Sequence, residues 1–190
     1  MKHAASRELF AYWDGSRRGR LLPERSDIEP RRISRILGDT FILDADGSYA
    51  FRLAGTRLCA LFGRELRGAR FLDLWHPQSR AAIADLMATC RAEAIGTAAS
   101  VRGSGADGRE VMLELVLLPL HHHGRPARFI GSLAPLNVPF WLNAVPVETL
   151  SLGAFRHLGP AIGDSHLPDL AAPLPAPRPR LIVHEGGRRP

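Results

Sequence analysis

Three runs near the middle of the chain narrow its fold more than any other feature. Residues 97–102, 109–118 and 127–135 read with the alternation of β-strands, and in the second run Val111, Leu113, Leu115 and Leu117 share one face. The linkers between them are only GSGADG and HHHGRP. Parallel neighbours need a crossover of a dozen or more residues, so three strands joined this closely are antiparallel neighbours in a meander. The apolar face of such a meander must be covered, and the rest of the chain has to supply the cover.

Upstream the period changes. Residues 77–94 place Ile83, Leu86, Met87 and Cys90 at i, i+3, i+4 and i+7 in an alanine-rich background, which predicts a helix. From Thr40, alternation in TFILD and YAFRLAG around Asp44-Ala45-Asp46-Gly47-Ser48 predicts a hairpin, with Gly47 supplying a positive φ. Between hairpin and helix, Leu58, Leu61 and Phe62 form a helical stripe punctuated by Gly63 and Gly68, which predicts short helices. At the start, Leu9, Tyr12 and Trp13 sit at helical spacing in a segment that ends at Gly19, and Pro30 to Leu37 reads as a second short helix with Ile33, Ile36 and Leu37 on one face.

Composition sets outer limits. The 190 residues suffice for one core with about 40 to 50 residues to spare, and 45% hydrophobic with 23% charged residues is the balance of a globular protein. No apolar stretch approaches the length of a membrane span and the first twenty residues carry no continuous signal-peptide core, so a cytoplasmic protein is expected. The net charge of +6 is spread: Lys and Arg against Asp and Glu number 9 to 6 in residues 1–40, 11 to 9 in 41–136 and 5 to 4 beyond, which gives no basic stripe for nucleic acid. Cys59 and Cys90 lie in helical patterns and read as reduced packing residues.

The order helix, helix, two strands, helices, three strands is similar to that of PAS domains, over roughly residues 36–136. His76-Pro77 ahead of the long helix resembles the His-Pro step that opens the last helix of that family, although Gln78 and Ser79 follow where relatives often carry an acidic residue. More narrowly, YWDGSRRGRLLPERSDIEP followed by FRLAGTRLCALFGRELRG resembles stand-alone proteobacterial PAS proteins with an N-terminal helical extension. The resemblance implies an α+β fold: a five-stranded antiparallel sheet, covered on one face by short helices and one longer helix. It sets an extension at 1–35 apart from a PAS domain at 36–136, and beyond these the composition itself reads as an apolar docking segment at 137–165 that includes Trp141 and a proline- and glycine-rich disordered tail at 166–190.

A PAS sheet curls around a small chamber. The candidates for its lining here are Phe41, Leu43, Phe51, Leu53, Thr56, Phe62, Phe71, Trp75, Leu115 and Leu117, which also have the residue types of ordinary core. Polar groups turned inward, such as Arg52, Thr56 or His76, would mark a ligand site, and large side chains filling the space would mark a packed interior. The flavin-cysteine photocycle of light-sensing relatives needs a cysteine just before Arg-Phe-Leu, where this chain has Ala69 before Arg70-Phe71-Leu72, so that chemistry is disfavoured. Haem is disfavoured too, because the one histidine near an axial position, His76, stands at a helix start. The run His121-His122-His123 reads as a solvated turn and no metal is expected. Nor is an enzyme: GSGADG joins two strands and opens no helix, and no nucleophile elbow, phosphate loop or Cys-x-x-Cys pair is present.

Two functions fit these readings. The first is a non-catalytic bacterial signalling module that, with no output domain fused to it, acts in trans on a protein partner. Its N-terminal helix, carrying Leu9, Tyr12 and Trp13, and the segment around Trp141 are the candidate interaction or homodimer surfaces. The alternative is a sensor gated by a small metabolite or cofactor, of unknown identity, in the chamber.

Overall fold

The structure is a computed structural model that describes residues 1–142 and 144–159; the tail expected to be disordered, 166–190, lies outside the described residues, as does the end of the expected docking segment. The central strand, β4, is Glu110–His122, and both of its alternations are apolar. Val111, Leu113, Leu115 and Leu117 face one side, Val116, Leu118 and Leu120 the other, and none of the seven is more than 4% exposed. A strand of this kind needs cover on both faces.

Antiparallel pairing sets β4 between β3, Gly96–Gly105, and β5, Arg125–Pro135, as the short linkers require. The hairpin of β1, Thr40–Asp44, and β2, Phe51–Ala54, joins through β1 to β5, and Gly47 in its turn has φ 91°. A sixth strand, β6, Val147–Leu158, pairs antiparallel with β3, so that the order is β2-β1-β5-β4-β3-β6. This corrects the five-stranded expectation, which took residues 137–165 as a docking segment only. Residues 153–157 are all exposed, and the β3–β6 register shifts at two places, so the apolar alternation that marks a strand is broken there.

The inner face is covered by α2, Thr56–Leu61, by a 3-10 turn at Phe71–Leu74, and by α3, Pro77–Glu93. Pro77 occupies the first turn of α3, where a missing N–H costs nothing, and His76 Nδ1 accepts from the Gln78 N–H at 3.3 Å. The stripe of Ile83, Leu86, Met87 and Cys90 is buried against the sheet.

The outer face is covered by α1, Ala4–Ser16, and the segment that follows it. Leu9 and Trp13 are fully buried, and Trp13 Nε1 donates to the Pro119 carbonyl of β4 at 2.8 Å. The Tyr12 hydroxyl donates to the Asp27 carbonyl at 3.2 Å and accepts from the Glu29 N–H at 2.7 Å, which ties helix to segment. The helix expected at Pro30 to Leu37 is instead two 3-10 turns, Pro30–Ile33 and Leu37–Asp39. Between them the chain bends so that its backbone at 37–38 lies directly on Gly55, where a Cβ would stand 2.1 Å from the Leu37 carbonyl oxygen. A continuous helix would present side chains there instead.

The start of α1 is held by Glu114, a buried carboxylate on the outer side of β4 that accepts from the Lys2 N–H at 2.6 Å and the His3 N–H at 3.2 Å. Burial alone would raise its pKa, but these N–H groups, together with the nearby Ser6 hydroxyl and the charged N-terminus, outweigh burial and hold the carboxyl below the usual carboxylate range. With the folded value below the unfolded one, near 4.3, the stabilisation is complete above that pH and is lost as the pH falls through the folded value. Glu114→Ala, which leaves the two N–H groups without their acceptor, is expected to cost about 1–3 kcal/mol at neutral pH. The difference from the parent should shrink in acid, which urea unfolding at pH 7 and at pH 3, followed by tryptophan fluorescence, would check.

Candidate functional site

Eight of the ten expected chamber residues, Phe41, Leu43, Phe51, Phe62, Phe71, Trp75, Leu115 and Leu117, belong to one buried cluster on the inner face, and none is more than 5% exposed. Four rings occupy its middle. Phe41 stacks on Phe71 at 5.6 Å between centroids, Phe51 meets the edges of both at 5.8 Å, and Trp75 meets Phe71 at 5.6 Å. These are the offset and edge-to-face distances of rings in contact, so the space between sheet and helices is occupied by the protein's own side chains.

Gly131 of β5 makes room for this arrangement. A Cβ there would stand 2.3 Å from the Phe41 ring and 2.5 Å from the Val116 carbonyl oxygen. The tip of the Phe41 ring therefore rests on bare backbone, where any larger residue would hold it off.

The other two candidates lie elsewhere. Leu53 is 39% exposed and pairs with Ile42, a residue of the outer cluster, and Thr56 is exposed at the first position of α2. For Leu53 the cause is a register shift between Ile42 and Leu43, which leaves Arg52 as an extra residue between the Phe51 and Leu53 pairings. Phe51 thus points inward while Leu53, two positions on, points outward, although simple alternation would give them one face.

The polar groups that would mark a ligand site also face away from the chamber. Arg52 is largely exposed and pairs with Asp44 at 2.7 Å, and His76 is exposed and caps α3. One interior polar atom stands out: Trp75 Nε1 is buried with no hydrogen-bond partner among the described residues.

The expected interaction residues are used within the chain. Leu9 and Trp13 are buried under the outer face, Tyr12 is half-buried, and Trp141, 8% exposed, packs against the inner cluster. Besides Leu53, the large apolar residues left open among the described residues are Leu21, Met112, Val138, Phe140 and Phe155, with Phe140 94% exposed and Arg109 over its ring.

Composition did not single out the buried charges. Asp44 takes Arg52 and Arg128 on its two oxygens at the end of β1, and Arg57 grips Asp39 with two bonds of 2.8 and 2.7 Å. The signal for Asp44 is an acidic residue closing an apolar strand, TFILD, which needs a cation from the neighbouring strand if it is to be buried.

Burial raises the pKa of both Cys90 and Cys59, which keeps both thiols protonated and weakly nucleophilic. His121 leans toward Glu24 at 4.0 Å, while His123 and Gly124 make the β4–β5 turn with positive φ. Among the described residues no group of three or more His, Cys, Asp or Glu is placed to hold a metal, and no helix is long and apolar enough to cross a membrane.

Compared with known proteins, the sequence matches the family described as PAS domain over residues 1–134. That match begins in α1 and runs to the end of the meander. No curated protein matches. Structural neighbours include the dark structure of the blue-light photoreceptor Aureochrome1 LOV, at 16% identity and TM-score 0.44, over 59% of this chain and 83% of that one. They also include the PAS domain of an HTR-like protein from Haloarcula marismortui, at 14% identity and TM-score 0.42, over 55% and 89%. A third is a Rhodobacter sphaeroides LOV protein, at 21% and 0.39, over 54% and 65%.

If the rings fill the interior, adding one methyl group to it should be costly. Gly131→Ala is expected to destabilise the fold by about 1–3 kcal/mol through overpacking against Phe41 and the β4 backbone. Gly131→Ala combined with Phe41→Leu should recover part of that loss, since the second change removes the ring that clashes. Denaturant unfolding of the two variants checks both statements.

Proposed function

The chain belongs to the PAS domain family, a family of sensory and signalling modules, and on that basis we propose that it is a non-catalytic regulatory module of cytoplasmic bacterial signalling that acts in trans, by docking its surface on a signalling protein. The observation that carries this reading is the filled interior. Phe41, Phe51, Phe71 and Trp75 take the volume that a ligand would need, and Arg52, Thr56 and His76 are turned away from it. A module with its interior occupied communicates through its outside.

The exposed apolar residues support the same reading. Val138 and Phe140 lie on the connection between β5 and β6, beside Arg109, and an aromatic ring with an adjacent arginine is the composition of an interface hot spot. A second copy of the chain would be one such partner. Leu9 and Trp13, being committed to the sheet, would reach it only if α1 left its seat.

A second reading rests on Trp75 Nε1. Its unpaired donor in the interior favours a small ligand with one acceptor, a sensor in which ligand binding rearranges the aromatic cluster.

Protein purified from its own host separates the two. The native mass is expected to be that of the bare chain or a whole multiple of it, with no absorption above the aromatic band. A retained flavin- or haem-sized ligand in each chain would overturn the first reading and make the second primary. Phe140→Asp is expected to leave the unfolding midpoint unchanged and, if the multiple is two or more, to shift the mass toward the single chain.

A further inference from the structure

Leu53, turned outward by the register shift in the first hairpin, and Thr56, at the start of α2, stand at a separate concavity on the outer face of the sheet. Ile42 of β1 and Ile130 of β5 form its floor, Leu53 one wall, and Ile28, Ile33 and Leu37 the other, supplied by the segment between α1 and β1. The concavity, open on one side to solvent, has a volume of about 250 Å³. The walls are fixed: the backbone at 37–38 rests directly on Gly55, and the bidentate pair of Arg57 with Asp39 clamps the end of the segment.

The lining decides what fits. Its apolar side chains are aliphatic, with no aromatic ring among them, which suits a flexible hydrocarbon and gives a planar ring nothing to stack on. The volume falls below the roughly 300–1,000 Å³ of pockets for drug-sized ligands, too small for a nucleotide, flavin or haem. One cation lines it. Arg25 is half-buried, its guanidinium donates only to the Ile28 carbonyl at a long 3.4 Å, and among the described residues it makes no ion pair. Arg31, Arg32 and Arg35, exposed on the same segment, likewise have no carboxylate partner among the described residues; with Arg25 they are four cations against the two carboxylates of the segment that no arginine pairs, Glu24 and Glu29, so the balance of local charge favours an anion.

A hydrocarbon pocket with an unpaired guanidinium at its lining is the complement of a fatty acid. We propose that this pocket binds an aliphatic monocarboxylate of medium chain length, with its tail among Ile28, Ile33, Leu37, Ile42, Leu53 and Ile130 and its carboxylate on Arg25. Because one wall belongs to the N-terminal segment and the floor to the sheet, a bound chain braces the two together. This occupancy is independent of whether the interior is full.

The test is titration of the full chain with octanoate, followed by methyl NMR. Saturable shifts are expected at Ile42, Leu53 and Ile130. Hexanoate should bind about fifteenfold more weakly, from roughly fourfold for each of two buried methylenes. Arg25→Gln should weaken octanoate by at least tenfold and leave octan-1-ol unchanged, and Leu53→Trp at the mouth should weaken both. The absence of saturable shifts at these methyls overturns the proposal, as does equal binding of octanoate and octan-1-ol that Arg25→Gln does not alter. Shifts confined to Leu115 and Leu117 would overturn it as well and would contradict the filled interior at the same time. Should Leu53→Trp fail to fold, the alcohol comparison and Arg25→Gln still decide.

Discussion

Strand β4 carries apolar side chains on both of its faces, and the rest of the architecture follows from covering them. Seven of its residues are essentially inaccessible, four on the inner side and three on the outer. One cover is the helical layer of α2 and α3. The other is the N-terminal extension, whose Leu9 and Trp13 are as deeply buried as any residue of the sheet. Trp13 closes that contact with a hydrogen bond to the Pro119 carbonyl, and Glu114 holds the beginning of the helix by its backbone. The segment YWDGSRRGRLLPERSDIEP, which carries the narrower family resemblance, therefore works first as the adhesive of the outer layer: Trp13 bonds inward to β4, Tyr12 ties the helix to the segment after it, and Arg20 pairs with Asp27 to fold the connection back.

Much of this was legible because it rests on period and linker length. The meander follows from linkers too short for a crossover, and α3 from its i, i+3, i+4, i+7 stripe and its proline start. Alternation gave the buried face of Phe41, Leu43, Phe51, Leu115 and Leu117, while Phe62, Phe71 and Trp75 come from the helical stretch between hairpin and α3. It gave the wrong face for Leu53, because a single extra residue in β2 reverses its side, and no sequence period announces a shift of one. The sixth strand was missed for a related reason, since five successive residues of it, 153–157, are exposed and its register with β3 slips twice. The second apolar face of β4 was open to reading: Val116, Leu118 and Leu120 stand between the residues that were chosen, and a run apolar at both parities asks for two covers. Glu114 interrupts that run, and a buried carboxylate there implies donors brought from a distant part of the chain.

Function turns on what occupies the inner face. Four aromatic rings in mutual contact, one of them resting on the bare backbone of Gly131, leave the interior as packed core. The open features lie outside: the aliphatic pocket beneath the N-terminal segment, and Phe140 with Arg109 at the opposite connection. Between them run β4 and β5, buried on both faces along their middle, so both features rest on one packed sheet. The extension is then more than a lid, since it forms a wall of the pocket and a layer of the core.

Xenon binding followed by methyl NMR tests the filled interior most directly, because xenon enters apolar voids of about a methyl group's size and above without needing polar contacts. The account predicts that the methyl signals of Leu43, Leu115 and Leu117 change little and without saturation as xenon pressure rises. Saturable shifts of those three methyls would show an interior void large enough to receive a ligand, and would contradict it.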